Sequence, residues 1–417
     1  MKKQSILLTL VALFAISCDN ELVPPQESPT AAQPINVPES LVACITQGNE
    51  FAFDLFYKIL QTTDEKNVFI SPLSVDFALG MTLNGANSIT KQEMKNVLHH
   101  SKLTDEQINE YYQLMLNALP TIDPTAKLNI ANSIWCREGF PFYKSFLDIN
   151  ATYFDAEIRN LDFSASYALD TINGWCARKT NNLIKNPLDK IPSDAVMYLI
   201  NAIYFKGIWI AQFDKANTAK ANFHSENGSQ NQVDMMCIPK GSFPYCEDEN
   251  AQYLDMGYGN GAFSMTLILP REGKTLKDVS NKFSADYFND NVKNRLDSTN
   301  IRVFLPRFKT EFKATLNDVL IALGMPSAFD SQGTADFSGM CNILEHYLYI
   351  SRVIHSTFVE VNEEGTEAAA VTIVEMVETS AGADNTRVFR ADKPFMFVIR
   401  ENSTGAILFM GKMGEIK

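Results

Sequence analysis

Residues 361–372 read VNEEGTEAAAVT, and this stretch decides how the whole chain is interpreted. In the two-residue alternation of a strand, Thr366, Ala368, Ala370 and Thr372 share one face. All four side chains are small, and no charge interrupts that face. A segment that slides between two existing strands can bury only small side chains, because overpacking a core costs about 1–3 kcal/mol per site. The stretch therefore predicts a segment that can change from loop to strand.

Gly365 comes directly before the small residues and gives the backbone a hinge with few conformational restrictions. Glu363 and Glu364 precede it, and two adjacent carboxylates are expected to keep the approach to the hinge in water. A flexible Ala-rich surface loop is the alternative interpretation of the same composition. The rest of the chain distinguishes between the two.

Motifs on both sides of this stretch resemble those of the serpin family, and specifically of its inhibitory members. Upstream are NVFISPLS at 67–74, NAIYFKGIW at 201–209, LPRF at 305–308 and ADFSGM at 335–340. Downstream are FRADKPFMF at 389–397 and ILFMGK at 407–412. They follow the family's order and extend over about residues 41–417. The resemblance implies a single α+β domain with large β-sheets, about eight or nine helices and an exposed reactive loop.

Hydrophobic periodicity agrees with that fold class. Apolar residues at helical spacing predict helices over 49–60, 74–84, 90–98 and 315–323, the third with Thr90 as its N-cap. Apolar runs predict strands over 196–205, 264–269, 301–305, 353–361 and 395–399. The strands come from distant parts of the chain, and the sequence contains no internal repeat and no second-domain boundary.

The resemblance implies a reactive loop from about Glu363 to Arg390. In inhibitory serpins the attacked bond lies about fourteen residues after the hinge glycine, which here is the bond between Thr379 and Ser380. Cleavage there would free a strand of about 14 residues, which spans about 46 Å. That length can carry an acyl-linked protease from one end of the domain to the other.

Other positions in the loop are secondary candidates for attack. Met376 and Glu378 lie close enough to Thr379 to serve as alternative reactive residues. Attack at Arg387 would release a longer strand with about 26 Å of slack, so a trypsin-like enzyme should treat the protein as a substrate there.

By resemblance, Ser71, Ser74, Asn201 and His355 match the polar cluster beneath the point where the family's main sheet opens. Two hydroxyls, one amide and one imidazole can form a closed hydrogen-bonded network, which tolerates burial only when every group is paired. Trp209 matches the aromatic residue at the top of that sheet, where insertion begins. A core histidine with helix-capping serines, and a large core tryptophan, are the alternative interpretations.

The N-terminus has the features of an export signal. Lys2 and Lys3 precede an apolar run over 6–16, which is shorter than the roughly 20 residues that a spanning helix needs. Residues 1–17 are therefore predicted to be a signal peptide. Cys18 after a small residue is typical of a bacterial lipoprotein whose thiol carries the lipid, with plain secretion as the alternative. Residues 18–40 contain five prolines and are predicted to be an extended tether.

These features predict the location of the domain and its state of association. Acidic residues directly after Cys18 resemble the surface-export signals of some Gram-negative lipoproteins. We expect a monomer on the outer membrane, facing outward, or a secreted protein. Six further cysteines favour buried free thiols over disulfides, and the sequence does not decide their pairing.

Several other functions are disfavoured by composition. The formal charge of −13 and the lack of a Lys/Arg cluster argue against nucleic acid as a partner. Residues 99–106, which match a heparin-binding region in some serpins, read HHSKLTDE and are too acidic for that role. The sequence SITK at 88–91 resembles a penicillin-interacting motif, but no Lys-Thr-Gly or Ser-Asp-Asn accompanies it. We expect no cofactor, no metal and no enzymatic activity.

The sequence predicts a suicide-substrate inhibitor of serine proteases, with cysteine proteases as a further target class. Thr379 is small and β-branched, which favours elastase-like or subtilisin-like targets. The protease would form an acyl-enzyme and be trapped in a covalent complex when the freed segment enters the sheet. The alternative is a non-inhibitory serpin that acts as a carrier or chaperone, although such proteins commonly have bulky or charged residues on the inserting face.

Overall fold

The computed structural model describes residues 31–342, 344–366 and 386–417. Nine α-helices and fifteen β-strands lie within these residues. The helices are α1 (Val42–Thr62), α2 (Pro72–Leu83), α3 (Ser88–Val97), α4 (Asp105–Ala118), α5 (Lys144–Phe154), α6 (Ala168–Lys179), α7 (Leu276–Ser280), α8 (Ala285–Tyr287) and α9 (Asn317–Leu323). The strands are β1 (Asn67–Ile70), β2 (Lys127–Arg137), β3 (Glu157–Leu161), β4 (Met197–Ile208), β5 (Ala219–His224), β6 (Gln230–Glu247), β7 (Ala251–Tyr258), β8 (Phe263–Pro270), β9 (Asp297–Pro306), β10 (Phe308–Thr315), β11 (Ile354–Val361), β12 (Gly365–Thr366), β13 (Arg387–Arg390), β14 (Phe395–Glu401) and β15 (Ile407–Met413).

The strands form two sheets. The larger has nine strands in the order β1-β15-β14-β8-β7-β6-β9-β13, with β5 paired to β6. The six-stranded sheet has the order β10-β11-β12-β4-β2-β3. Within the described residues its strand β12 comprises Gly365 and Thr366 and pairs antiparallel with both β11 and β4. The α+β class, the large sheets and the number of helices agree with the sequence prediction.

Most predicted elements are present, with boundaries shifted by a few residues. Helix α1 starts seven residues before the predicted Asn49, and the strand predicted over 196–205 continues to Ile208. The predicted N-cap role of Thr90 is wrong, because α3 begins at Ser88. The Thr90 hydroxyl is buried and instead accepts a hydrogen bond from the Asp336 backbone N–H at 2.9 Å.

The end of the predicted tether lies on the domain. The backbone N–H of Ala32 donates to the Asn260 carbonyl at 3.2 Å, and that of Ile35 donates to the Ser403 hydroxyl at 3.0 Å. The Ile35 side chain is 9% exposed. The end of the predicted extended tether therefore contacts the domain at Ala32 and Ile35, and the apolar side chain of Ile35 is buried there. The predicted signal peptide and Cys18 lie outside the described residues.

The six cysteines of the described residues are thiols, and five of them are buried, which agrees with the free-thiol interpretation. Burial raises the pKa of Cys44, Cys136 and Cys246 to about 11, so these thiols stay protonated at neutral pH. No helix in the described part of the chain combines the length and the apolar character that a membrane crossing requires.

Candidate functional site

The hinge of the predicted reactive loop is already part of the six-stranded sheet. Thr366 pairs with Val361 of β11 on one side and with Gly207 of β4 on the other. Gly365 pairs with Ile208 of β4. The first residues of the small-residue stretch therefore separate β4 from β11 at one end of the sheet.

Gly365 is required here by close backbone contact. A Cβ atom at this position would lie 2.0 Å from the carbonyl oxygen of Gly207 and 2.9 Å from the Cα of Ile208. Both neighbours are backbone atoms of a paired strand, which cannot move aside as a flexible side chain could. Any other residue at position 365 would therefore push the hinge out of the sheet.

Thr366 points into the core. It is 3% exposed, and its hydroxyl lies 2.7 Å from the hydroxyl of Tyr258 at the end of β7. The Tyr258 ring stacks on Trp209, with ring centroids 4.3 Å apart and planes inclined by 15°. Burial raises the pKa of Tyr258 well above its usual value, so the phenol stays neutral. Tyr258 connects the hinge to the larger sheet, and nothing in the local sequence distinguished it from an ordinary core tyrosine.

Trp209 contacts the turn that leads into the hinge. Its indole Nε1 donates to the Asn362 carbonyl at 3.1 Å, and its backbone N–H donates to the Glu364 carbonyl at 2.9 Å. The side chain is 2% exposed. This residue, predicted at the top of the sheet, therefore lies directly against the chain that enters it.

The expectation that Glu363 and Glu364 lie in water is wrong. Glu363 is 2% exposed, and its Oε1 accepts from Arg307 Nη2 at 2.6 Å and from the Thr218 hydroxyl at 2.8 Å. Its Oε2 accepts from Arg307 Nε at 3.2 Å. Glu364 pairs with Lys215 at 2.7 Å. A carboxylate can be buried when a guanidinium binds both of its oxygens, and neither glutamate's partner is adjacent in sequence.

Glu363 remains ionised in this position. Burial alone would raise the pKa of its carboxyl, but the hydrogen bonds from Arg307, the local backbone and Thr218 outweigh that effect. The net result is a pKa below the usual value. Arg307 and Thr218 are functional neighbours that sequence analysis missed, although Arg307 stands in the LPRF motif that carries part of the resemblance.

Three of the four predicted cluster residues come together at the start of α2. The Ser71 hydroxyl caps this helix by accepting from the Ser74 backbone N–H at 3.2 Å, and it donates to the Leu408 carbonyl at 2.8 Å. The Ser71 backbone N–H donates to His355 Nε2 at 3.1 Å. His355 is 4% exposed, and burial lowers its pKa to about 4. The imidazole is therefore neutral at pH 7, with Nε2 as the acceptor and the proton on Nδ1.

Asn201 lies apart from the other three residues. Its amide nitrogen donates to Asn132 on β2 at 2.8 Å, and its Oδ1 is buried without a partner among the described residues. His355 is on β11 and Asn201 is on β4, and within the described chain these strands are connected only through β12. Among the described residues, Asn201 has no hydrogen bond to Ser71, Ser74 or His355, so the two halves of the predicted cluster are separate there.

Below Thr366, described residues of β4 and β11 line two cavities, and we call the region between these two strands the slot. Its upper part holds a void of about 20 Å³ lined by Ile203, Phe205, Thr357 and Val359, among others. Its lower part opens into a cavity of about 510 Å³ whose walls include Asn201, His355 and helix α2. The slot continues the line of β12 along the sheet.

The far end of the reactive loop is bound to the larger sheet. Strand β13 pairs in parallel with β9, and Arg387 lies opposite Ile301. Arg387 Nη1 lies 2.9 Å from Oε1 of Glu247, and its guanidinium lies over the Tyr245 ring at 5.7 Å. The remaining predicted site residues lie outside the described residues. They are Ala368, Ala370, Thr372, Met376, Glu378, Thr379 and Ser380, together with the lipidation candidate Cys18.

Comparisons with known proteins agree on one family. A family model described as Serpin (serine protease inhibitor) matches residues 46–416. An uncharacterized serpin-like protein of Methanosarcina mazei is 36% identical over 383 residues, which are 88% of this chain and 85% of the relative. Tengpin, a thermophilic serpin solved in its native state, has a TM-score of 0.82 and 34% identity, covering 93% of this chain and 97% of its own. Human thyroxine-binding globulin has a TM-score of 0.81 and 26% identity, covering 91% of this chain and 100% of its own. The chain therefore belongs to the serpin family.

Proposed function

We propose that this protein inhibits serine proteases by inserting its cleaved reactive loop into the six-stranded sheet. The observation that carries the proposal is the pairing of Thr366 with both Val361 and Gly207. A strand that has begun between two antiparallel partners has a fixed register, so each further residue has a defined place along the slot.

After insertion, the small side chains of the segment would suit the walls on the inner face. Continuing the register by two residues sets Ala368 opposite Val359 and Phe205, both buried. A small side chain is the one that can enter between these two large ones without overpacking. Continuing it by four residues sets Ala370 in the row of Thr357 and Ile203, which also line the void.

In the same register, a polar residue of the inserted loop would lie beside polar residues of the two walls. Thr372 would lie in the row of His355 and Asn201, two polar side chains of the slot walls. Its hydroxyl could donate to the buried Asn201 Oδ1, which has no partner among the described residues. The polar cluster would then be completed only after insertion, which favours the inserted state over the uncleaved one.

The reaction would leave the protease acylated. The protease serine oxygen attacks the carbonyl carbon of Thr379, the bond to Ser380 breaks, and the new amine of Ser380 takes up a proton and leaves. The ester keeps the protease attached to the end of the segment while the segment enters the slot. The protein is not a catalyst in this scheme, because each molecule is consumed once.

Incubation with pancreatic elastase tests the proposal. We expect a covalent adduct that survives denaturing electrophoresis and a released peptide that begins at Ser380 by mass spectrometry. The uncleaved protein without elastase is the matched control. Complete cleavage without any adduct, repeated with subtilisin-type, trypsin-type and glutamyl-specific proteases, would overturn the inhibitory function.

A carrier or chaperone role is the competing proposal, since thyroxine-binding globulin shares the fold. The uniformly small face of the segment disfavours it, because a serpin that never inserts its loop has no need of such a face. A loop that is cleaved without any gain in thermal stability would favour the carrier role.

Export and lipid anchoring at Cys18 remain predictions of the sequence alone. Expression in a Gram-negative host with radiolabelled palmitate should label the wild-type protein and leave Cys18→Ala unlabelled. Equal absence of label in both would leave plain secretion as the route.

A further inference from the structure

A carboxyl group and an imidazole are buried together among helices α1, α2 and α4. Asp76 on α2 is 2% exposed, and His100, which follows α3, is 0% exposed. Nε2 of His100 lies 4.0 Å from Oδ1 of Asp76. Titratable groups are seldom buried unless they are paired, so the hydrogen bonds of these two side chains decide their protonation.

The hydrogen bonds around the pair contain too few donors. Asp76 Oδ1 accepts from the Tyr112 hydroxyl at 2.6 Å, but Oδ2 has no partner among the described residues. His100 Nδ1 lies 3.3 Å from Oε1 of Gln47, which is an acceptor, so Nδ1 carries the ring proton and donates it. His100 Nε2 is then an acceptor, and it also has no partner in the described part of the chain. One added proton would turn these neighbouring acceptors into a donor and an acceptor.

The titratable groups beside the pair on α1 and α4 stay neutral. The ring centroids of Tyr111 and Tyr112 lie 6.4 and 6.3 Å from that of His100. Burial raises the pKa of both phenols well above its usual value. It also raises the pKa of the Cys44 thiol on α1 to about 11. These three groups neither supply nor remove the added proton at neutral pH.

Two cations lie near His100, and each is paired with carboxylates other than Asp76. His99 lies 2.8 Å from Asp54 through Nε2 and 3.1 Å from Glu50 through Nδ1. The hydrogen bond to Asp54 is the main reason why the pKa of His99 is raised. Lys95 Nζ lies 3.2 Å from Oδ1 of Asp105.

These surroundings favour the added proton on Asp76. Burial, and then the positive charges of His99 and Lys95, lower the pKa of His100 to about 3. Burial raises the pKa of Asp76 to about 7, although the hydrogen bond from Tyr112 acts in the opposite direction. Below neutral pH, Asp76 is therefore protonated and His100 is uncharged.

We propose that Asp76 and His100 form a buried site for one proton, which holds α2 in place and whose loss above neutral pH loosens this helix. Ionised Asp76 would be a buried carboxylate with one hydrogen bond and no charged partner among the described residues. Ser74, Val75 and Leu79 of the same helix line the larger cavity of the slot. The proton would therefore also affect how readily the slot opens, a step that rests on the proposed function.

Folding moves the proton from one group to the other. Between about pH 4 and 6.5 an unfolded chain has an ionised aspartate and a protonated histidine. The folded chain also binds one proton, but on Asp76, so the pair as a whole adds no pH dependence to stability in this range. Alone, Asp76 would reduce stability as the pH rises from about 4 towards 7, and His100 would reduce it as the pH falls from about 6.5 towards 3.

Denaturant unfolding between about pH 4 and 6.5 tests this exchange with two single variants. Asp76→Asn keeps an acceptor for Tyr112 but does not titrate, which leaves the effect of His100. Its unfolding constant relative to the wild type should rise by up to about tenfold per pH unit as the pH falls. For His100→Gln the relative constant should rise by up to about tenfold per unit as the pH increases. Profiles parallel to the wild type in both variants would overturn the proposal.

Hydrogen exchange of the α2 amides tests the loosening of the helix. Above about pH 7, exchange in the wild type should accelerate beyond the intrinsic effect of pH, and exchange in Asp76→Asn should not. Asp148→Asn, at an exposed aspartate on α5, should follow the wild type. His99→Gln should do the same, because it removes a neighbouring histidine and keeps the pair. Equal acceleration in the wild type and Asp76→Asn would assign the effect to another group and contradict the proposal.

Infrared spectroscopy decides the matter if His100→Gln does not fold. The C=O band of a protonated carboxylic acid should be present in the wild type at about pH 6, absent in Asp76→Asn, and lost from the wild type above about pH 8. An ionised Asp76 at about pH 6 would overturn the proposal. None of these measurements uses a protease, so their outcome is independent of the elastase experiment that tests inhibition.

Discussion

Glu363 lies two residues before the hinge glycine Gly365, and its Oε1 lies 2.6 Å from Nη2 of Arg307. The side chain of Arg307 is 43% exposed, whereas that of Glu363 is 2% exposed. The carboxylate is thus buried and depends on a partner that water reaches. This asymmetry makes the pair sensitive to loss of the arginine.

Arg307→Leu should destabilise the uncleaved protein by about 2–3 kcal/mol, because the Glu363 carboxylate would stay buried without its counterion. The loosened hinge should also shorten the time for which the protein keeps inhibitory activity at 37 °C. Denaturant unfolding and residual activity against elastase measure the two effects. Lys215→Leu removes the exposed partner of Glu364 and should change the free energy of unfolding much less, because water screens that ion pair. Equal losses in both variants would contradict the role given to Glu363.

Thr366→Arg should abolish inhibition and leave the loop cleavable. Thr366 lies against the Tyr258 hydroxyl in the core, and burying a guanidinium there without a counterion would cost several kcal/mol. Gel electrophoresis with elastase should show cleaved protein and no adduct.

Asp384→Arg is the control for Thr366→Arg. It introduces the same side chain beyond the proposed scissile bond, in the part that would not insert. We expect inhibition close to that of the wild type. An adduct formed by Thr366→Arg in normal yield would exclude insertion past the hinge.

Contrary to the expectation from the sequence, trypsin should not cleave after Arg387 in the folded protein. Proteases bind substrates in an extended, accessible form, whereas Arg387 is paired with β9 and holds Glu247. Limited proteolysis followed by mass spectrometry should yield no peptide beginning at Val388. Glu247→Ala removes the ion pair and should make the Arg387–Val388 bond cleavable during longer digestions. Rapid cleavage at Arg387 in the wild type would mean that β13 detaches readily.

The sequence was sufficient to predict the strands and the hinge, which depend on local pattern. Apolar runs marked β4 and β11, and the period-2 face of small residues marked the hinge, because these signals lie within a few consecutive positions. The features that were mispredicted depend on distant partners. The burial of Glu363 requires an arginine 56 residues earlier in the chain, and the docking of Ile35 requires Ser403.

The polar cluster illustrates the same limit within one site. Family resemblance identified Ser71, Ser74, Asn201 and His355 but not which of them are joined in the uncleaved protein. Whether these residues are joined depends on whether β4 and β11 pair with each other near Asn201 and His355. This pairing is a property of the sheet and not of any single motif. Tyr258 was not predicted for a related reason, since its role comes from its contact with Thr366, which is distant in sequence.

His355 should make the uncleaved protein less stable in acid. Its pKa is lowered to about 4 by burial, whereas an unfolded histidine has a pKa of about 6.5. The unfolded state therefore binds more protons between these values, so stability is present above pH 6.5 and is lost as the pH falls towards 4. A difference of two to three pKa units corresponds to about 3 kcal/mol.

The variant His355→Gln isolates this contribution. Glutamine offers an oxygen that can accept from the Ser71 N–H, as Nε2 does, but it does not titrate. Denaturant unfolding at pH 7.5, 6, 5 and 4 should show that the wild type loses about 3 kcal/mol more than the variant over this range. Asp76 and His100, which are also buried and titratable, are present in both proteins, so their contributions cancel in the comparison. Parallel pH profiles for wild type and His355→Gln would show that the imidazole can be protonated without disturbing its hydrogen bond to α2.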